Sequence, residues 1–145
     1  ILSDGEVRAM SALALAHMGD AVYEIYIRKH VLEHEQVHVD KIHQAAIVYV
    51  RAEGQAKAVR AMLAQEGFLT LEETALVKRT RNRKVTSRPK NADPVDYKLA
   101  TAFEALIGYL YLKEDMQRLS EITAAAVRII EGRSFETAGR QTGEA

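Results

Sequence analysis

The 145-residue chain contains no cysteine and no tryptophan, only two prolines and only eight glycines. Without cysteine it can form neither disulfides nor thiolate metal sites, and a reducing cytoplasm is compatible with it. The scarcity of proline and glycine, together with abundant alanine, favours helices over a sheet. No apolar run approaches the roughly 18 residues of a membrane span, and no signal peptide is visible. We therefore expect a cytoplasmic protein without a membrane partner.

Neither sign of charge is in excess, since 20 basic and 20 acidic residues give a formal net charge of zero. The basic residues are nevertheless concentrated in segment 78–90, which holds no acidic residue and seven basic ones: Lys78, Arg79, Arg81, Arg83, Lys84, Arg88 and Lys90. The other 132 residues carry 13 basic and 20 acidic groups. This separation favours a phosphate-binding loop over a merely solvated one.

The pattern of apolar residues predicts one all-helical domain over residues 1–133. With 48% hydrophobic residues the chain can bury a sizeable core. Apolar periodicity and capping signals predict helices over 11–32, 41–52, from Gly54 to 65, from Thr70 into the basic segment, 93–112 and 115–131. Residues 1–10 are interpreted as a lead-in, and the polar residues 134–145 as a mobile tail.

The stretch 11–32 organises the rest of the chain. As a helix it would carry apolar residues on nearly every side and four polar residues on one narrow stripe: His17, Asp20, Glu24 and Arg28. A helix of this kind is buried on most sides, so we place it at the centre of the fold. A buried carboxylate must be paired or metal-bound. Asp20 could pair with an arginine, and Glu24 with Arg28 at the i,i+4 spacing.

The helix over 93–112 repeats this design. Glu104 is a lone carboxylate in an apolar sequence, and Gly108 lies in mid-helix as Gly19 does in the first helix. Each glycine costs about 1 kcal/mol relative to alanine, and a close approach of two backbones is one reason to accept that cost. If the helices cross at their glycines, Asp20 and Glu104 share one site. A divalent cation, Mg²⁺ in particular, would relieve their repulsion.

Two motifs resemble those of the ribonuclease III domain family. The run Leu15-Ala-His-Met-Gly-Asp20-Ala-Val is similar to the family signature Leu-Glu-Phe-Leu-Gly-Asp-Ala-Val, and Thr101-Ala-Phe-Glu104-Ala-Leu-Ile-Gly is similar to Asp-x-Phe-Glu-Ala-Leu-Ile-Gly. The resemblance covers about residues 10–131 and leaves no room for a separate double-stranded-RNA-binding domain. The chain therefore resembles Mini-ribonuclease III, the form of the family that consists of the catalytic domain alone. That form has a similar basic stretch followed by Pro-Lys-Asn, here at 89–91.

This resemblance implies a single ribonuclease III-type domain of six to seven helices around the signature helix. It implies a Mg²⁺-dependent endoribonuclease of double-stranded RNA that leaves 5′-phosphate and 3′-hydroxyl ends. The signature Asp and the last catalytic Glu fall on Asp20 and Glu104, which would be catalytic residues and metal ligands. It also implies a homodimer that matures the 23S ribosomal RNA precursor, with ribosomal proteins on that substrate as further partners.

The sequence departs from the family pattern at three acidic positions, which are Leu13, Ala16 and Thr101 here. These departures favour one Mg²⁺ over two, with Thr101 able to hold a ligand water. They also leave open a non-catalytic RNA-binding scaffold on the same fold, or a helical regulator that binds DNA or protein.

The histidines and tyrosines can each be interpreted as functional or as structural residues. His17, one turn before Asp20, could orient a water or a phosphate or could be packed. A zinc site could be read from the four-residue spacing of His30, His34 and His38, and a solvated helix end is the alternative. Core or interface positions are the interpretation for Tyr23, Tyr26, Tyr109 and Tyr111.

Overall fold

The computed structural model describes residues 1–34 and 38–135. Within these ranges the chain forms seven α-helices, one 3₁₀ turn (Val39–Lys41) and no strand. The helices are α1 (Asp4–Ala9), α2 (Ala12–His34), α3 (Ile42–Val50), α4 (Ala52–Ala64), α5 (Leu71–Arg81), α6 (Pro94–Leu112) and α7 (Met116–Ile130). The prediction of an all-α domain with six to seven helices is confirmed.

The interpretation of residues 1–10 as a lead-in is wrong, because they contain helix α1. Ser3 and Glu6 form a capping box: the Glu6 N–H donates to Ser3 Oγ at 3.1 Å, and the Ser3 N–H donates to Glu6 Oε1 at 2.9 Å. The same signal located the start of α5 at Thr70. Val7 on α1 is fully buried in the core, so a short capped helix is stabilised here by one apolar anchor.

Two predicted boundaries move. The break between α3 and α4 falls at Arg51, whose backbone is extended, and Gly54 lies inside the first turn of α4 rather than at a kink. A methyl group on Gly54 would overlap the Val48 carbonyl, so glycine lets α4 pack tightly under the end of α3. Helix α5 ends at Arg81, and residues 83–90 of the basic segment are therefore outside it.

The helix at the centre of the fold is α6, whereas the sequence placed α2 there. Eleven of the nineteen residues of α6 are buried, and α6 contacts α1, α2, α4, α5 and α7. Helix α2 packs against α6 and α3 and leaves large apolar residues exposed on its opposite side: Ile25 is 67% and Leu32 65% exposed. Apolar residues on nearly every side of a predicted helix therefore did not show whether other helices surround it or cover only part of it.

A buried ion pair joins the start of α5 to α7. Arg118 donates from Nε and Nη2 to the two oxygens of Glu73 at 2.8 Å each, and from Nη2 to the Phe68 carbonyl at 2.6 Å. Glu73 is 3% exposed and also accepts from the Thr70 N–H at 2.9 Å. This bidentate pair gives α5 a fixed orientation beneath the basic segment.

The region predicted as a tail lies largely outside the described residues, which end at 135. Phe135 packs edge-on against Phe68, with 5.1 Å between ring centroids. The domain boundary at 133 and the mobility of 136–145 stay predictions. No helix in the described ranges has the length and apolar character needed to cross a membrane.

Candidate active site

Helices α2 and α6 cross at their glycines, as the sequence predicted. A methyl group on Gly19 would overlap the Glu104 carbonyl, and one on Gly108 would overlap the Leu15 carbonyl and lie 3.0 Å from the Gly19 nitrogen. The two backbones thus touch where any side chain would separate them. Gly19 directly precedes Asp20, and Glu104 lies one turn before Gly108, so the crossing brings the two carboxylates together.

Asp20 and Glu104 interact directly across this crossing. Asp20 is exposed, and Glu104 is half-buried. Burial first, then the charge of Asp20 and a hydrogen bond between the two carboxyl groups, raises the pKa of Glu104 to about 8. Among the residues that the structure describes, neither carboxylate forms a salt bridge with a Lys, Arg or His side chain. Glu24, by contrast, pairs with Arg28 at 3.4 Å as expected.

Gln55 is a contact of Glu104 that the sequence did not reveal. It lies on α4, is 2% exposed, and donates from Nε2 to the Val50 carbonyl at 3.0 Å and to Glu104 Oε2 at 3.5 Å. Its hydrogen bond opposes the rise in the pKa of Glu104. A buried glutamine in a helix of mixed composition gives no local signal, because its partner is 49 residues away.

The donor set fits a hard divalent cation. Mg²⁺ prefers oxygen ligands and is commonly held by one or two carboxylates, with waters and substrate phosphates completing the shell. Asp20 and Glu104 supply two carboxylates that no cation of the described residues neutralises. No group of three or more His, Cys, Asp or Glu side chains suited to a metal occurs in 1–34 and 38–135. The site therefore matches a cation bound partly by its substrate.

The neighbouring positions agree with a reduced ligand set. Ala16 is buried, and Leu13 is exposed one turn earlier on α2. Thr101 is buried and donates its hydroxyl proton to the Tyr97 carbonyl at 2.9 Å, so only its oxygen lone pairs remain for a ligand water. His17 is exposed, and its interpretation as a packed histidine is therefore wrong.

The basic segment carries unneutralised charge. Within the described ranges, none of its seven cations has a carboxylate partner within salt-bridge distance. The seven do not share one surface, however. Arg79 faces a cavity with Arg8, Glu72 and Tyr109, whereas Lys84, Arg88 and Lys90 line a different one.

This second cavity adds two residues that the sequence did not indicate. Its volume is about 570 Å³, and it lies between residues 84–90 and the first turns of α6, where Tyr97 and Lys98 complete its lining. Arg88 fixes the shape of the segment by donating from Nη1 to the Ala92 carbonyl at 2.8 Å. Lys98 and Tyr97 could not be assigned from sequence because they lie on α6, outside the run of basic residues.

Within the described part of the chain, the histidines belong to no group of three or more side chains that could hold a zinc ion. His30 pairs with Glu131, 3.2 Å from Nε2 to Oε2, and His34 stacks on His30 with Nδ1 3.1 Å from the His30 carbonyl. His38 is exposed in front of the 3₁₀ turn. The solvated helix end is therefore the better description, with one ring tied to α7.

Comparison with known proteins gives consistent matches. The profile of the Ribonuclease III domain family matches residues 13–115, which includes both acidic motifs. A Mini-ribonuclease 3 of Streptococcus pneumoniae is 39% identical over 127 residues, covering 88% of this chain and 98% of the relative. Those of Symbiobacterium thermophilum (44% over 119 residues) and Brevibacillus brevis (45% over 122 residues) cover 82% and 84% of this chain, and 89% of each relative.

The fold has a solved counterpart. The crystal structure of protein FN1578 from Fusobacterium nucleatum superimposes with a TM-score of 0.71 at 29% sequence identity, covering 83% of this chain and 94% of that protein. The agreement extends from the two motifs to the arrangement of the helices. The chain belongs to the ribonuclease III domain family, in its Mini-ribonuclease 3 form, and is an endoribonuclease.

Proposed function

We propose that this endoribonuclease cleaves double-stranded RNA with one Mg²⁺ held by Asp20 and Glu104. The observation that carries the proposal is the carboxylate pair at the glycine crossing, which forms no salt bridge with a cation in residues 1–34 and 38–135. Bringing two carboxylates together is unfavourable unless a proton or a metal ion lies between them. Because Asp20 is exposed at the surface, the carboxylate pair can be reached by a large substrate.

The protein groups have separate tasks in this proposal. When bound, Mg²⁺ would activate a water and stabilise charge on the scissile phosphate, leaving 5′-phosphate and 3′-hydroxyl ends. Asp20 and Glu104 present the carboxylate oxygens from two rigid helices. Gln55 restrains the buried oxygen of Glu104 by its hydrogen bond. The glycine crossing fixes the separation of the two carboxylates.

The chemical proposal is tested with Asp20→Asn. This variant should lose Mg²⁺-dependent cleavage of a structured RNA while it keeps its fold and most of its RNA affinity. Full activity would contradict the assignment. RNA binding by the wild-type protein without cleavage at any Mg²⁺ concentration would instead favour the scaffold alternative, which the acid-to-neutral positions Ala16 and Thr101 motivate.

The basic segment is proposed to hold the RNA backbone, since duplex RNA is recognised mainly through its shape and phosphates. Cations without carboxylate partners support this, because no ion pair within the described protein has to break when a phosphate binds. Neutralising Arg79, Arg81, Arg83 and Lys84 should weaken RNA binding and lower the salt slope by roughly 0.9 per lost contact, by analogy with B-DNA. Saturating RNA should restore much of the cleavage rate.

A matched control removes four exposed cations elsewhere: Lys29, Lys41, Arg51 and Lys57. Their neutralisation gives the same change in net charge, so a general electrostatic effect would lower both salt slopes equally. A specific contact surface lowers the slope only in the first variant. Unchanged affinity and slope in that variant would place the RNA elsewhere.

A homodimer is proposed from the uncovered side of α2. Ile25 and Leu32 are exposed two turns apart on one face of this helix, and exposed apolar surface of this kind is typical of an interface. A two-fold copy would cover them and supply one active site for each RNA strand. Sedimentation should give a dimer at micromolar concentration, and Ile25→Glu should convert it to a monomer. A monomeric wild-type protein would refute this part of the proposal.

The proposed biological substrate is the base-paired stem of the 23S ribosomal RNA precursor. This part of the proposal rests on the resemblance of the chain to the Mini-ribonuclease 3 form of the family. Ribosomal proteins on that RNA would then be partners, and the cytoplasm would be the site of action. Deleting the gene should leave unprocessed precursor ends, and the Asp20→Asn protein should fail to restore normal ends. Normal ends in the deletion strain would point to a different RNA.

A further inference from the structure

We propose that the cavity between residues 84–90 and the first turns of α6 is a subsite for one unpaired nucleotide of the RNA substrate, with Tyr97 as its stacking surface. The inference rests on the proposed cleavage of double-stranded RNA and adds to it a preference for a helical defect near the cut. The cavity is separate from the two carboxylates and is not needed for metal binding.

The charge of the cavity suits a nucleic acid. Lys84, Arg88, Lys90 and Lys98 line it, and none of its ten described lining residues is acidic. The carboxylate of Asp93 is occupied by the Val95 and Asp96 N–H groups at the start of α6 (2.9 and 3.0 Å). Asp96, next to Tyr97, pairs with Arg60 at 3.5 Å, and within the described residues none of the four cations forms a salt bridge.

The volume and the lining exceed the needs of a phosphate alone. About 570 Å³ falls in the range of small-molecule sites, and the lining includes the Tyr97 ring together with Val85, Pro89 and Pro94. Cations, an aromatic ring and apolar surface are the combination that binds the phosphate and the base of a single-stranded nucleotide.

The position of Tyr97 on α6 relates the cavity to the cut. Tyr97 and Glu104 are seven residues apart, which is two helical turns on the same face and about 10 Å along the axis. For a strand that runs along the α6 axis, this corresponds to about three base steps at the spacing of about 3.4 Å found in B-DNA. A strand whose scissile phosphate lies at Asp20 and Glu104 can therefore place a nucleotide about three positions away at the cavity.

The base of that nucleotide must be free to leave the helix. Bases inside a duplex present only their edges, whereas bulged or mismatched bases can be turned outward at little cost. A fully paired duplex would contact the rim of the cavity through phosphates only. A duplex with one unpaired nucleotide at the right position would in addition insert its base against Tyr97.

The experiment begins by mapping the cut in a fully paired duplex, then moves a single unpaired nucleotide from one to six positions on either side. For the wild-type protein we expect kcat/KM to rise about tenfold at one position near the third nucleotide. The rise should persist in Tyr97→Phe, which keeps the ring, and disappear in Tyr97→Leu. Lys98→Gln should reduce the rise, because it removes one of the four cations that line the cavity.

A second readout does not depend on cleavage. With 2-aminopurine as the unpaired base, binding without Mg²⁺ should quench its fluorescence in the wild type and in Tyr97→Phe but not in Tyr97→Leu. Equal kcat/KM for all defect positions, or quenching that survives Tyr97→Leu, would overturn the subsite. Failure to cleave any duplex would instead contradict the proposed function, and the fluorescence result would still decide the subsite.

Discussion

Glu73 and Glu104 are two glutamates withdrawn from solvent in the same small core, and their partners differ. Glu73 accepts two hydrogen bonds from the guanidinium of Arg118 and one from the backbone of Thr70. Glu104 faces another carboxylate, Asp20, and one amide at 3.5 Å. The first charge is balanced by the protein itself. The second is not, and burial beside Asp20 raises its pKa to about 8.

This contrast separates a structural carboxylate from one suited to bind a cation. Burying a charge is costly unless a partner compensates it. Arg118 compensates Glu73 permanently, so that pair fixes α5 to α7 and needs nothing from solution. The negative charge of Glu104 must instead be compensated by a proton or a metal ion. Each of the following predictions changes one side of the comparison.

The largest expected effect is on cleavage. Glu104→Gln should lower the rate by about 10³-fold or more, because several kcal/mol of metal-derived stabilisation would be lost. The isosteric change Glu73→Gln should leave the rate per folded molecule within a few-fold of wild type. Rates measured at equal concentrations of folded protein would decide this, and similar losses in both variants would remove the functional distinction.

The next effect is on stability. Removing one partner of the buried pair, as in Arg118→Met, should cost about 3 to 5 kcal/mol in the free energy of unfolding, because Glu73 stays buried without its cation. Replacing both partners by apolar residues should cost clearly less than the sum of the single changes. Urea unfolding of the wild type, the two single variants and the double variant measures this difference. An Arg118→Met protein as stable as the wild type would show that the pair is not structural.

The pH dependence of stability without metal should report on Glu104. Its pKa is raised from the usual 4.5 to about 8, so between these values the folded protein keeps a proton that the unfolded chain releases. The stabilisation present below pH 4.5 is therefore lost as the pH rises towards 8, by about 2 to 4 kcal/mol. Glu104→Gln should flatten this slope in a series of unfolding curves recorded with chelator. An unchanged slope would mean that Glu104 ionises normally.

The smallest effect concerns Gln55. Gln55→Leu removes the amide that bonds to Glu104, and we expect about three- to tenfold more Mg²⁺ for half-maximal activity and for half of the metal-induced rise in Tm. Thr123→Val is a matched control, since it removes a buried hydrogen bond on α7, from Thr123 to the Leu119 carbonyl at 2.9 Å. It should lower stability without changing the Mg²⁺ requirement. Identical Mg²⁺ curves for Gln55→Leu and wild type would limit Gln55 to packing.

Much of the fold could be predicted from short-range signals. The capping box at Thr70 and the Asp93-Pro94 start of α6 located two helices, and the same box at Ser3 would have located α1 had it been used. The glycines at 19 and 108 indicated the crossing because a glycine in mid-helix is costly without a close neighbour. The candidate carboxylates were predicted because Asp20 and Glu104 lie on otherwise apolar helices, and the glycines placed them at one site.

Other features had no local signal. Apolar residues around α2 did not reveal that only one side is covered, since that depends on which helices pack against it. Gln55 reaches Glu104 across 49 residues of sequence, and Arg118 reaches Glu73 across 45. The basic segment was visible as composition, but its division between two cavities was not.

By itself, then, the sequence determined most of the helices, the caps at Thr70 and Asp93, and the two motifs in which a glycine lies within one turn of a carboxylate, because each depends on residues within about one or two helical turns. Tertiary structure decided which helix is surrounded, which buried glutamate has a cation, and which cations meet Tyr97 and Lys98. These outcomes depend on side chains that meet only when distant helices pack, and helix periodicity is the same whichever neighbour a face receives. The same residue type is therefore a structural partner at position 73 and a candidate metal ligand at position 104.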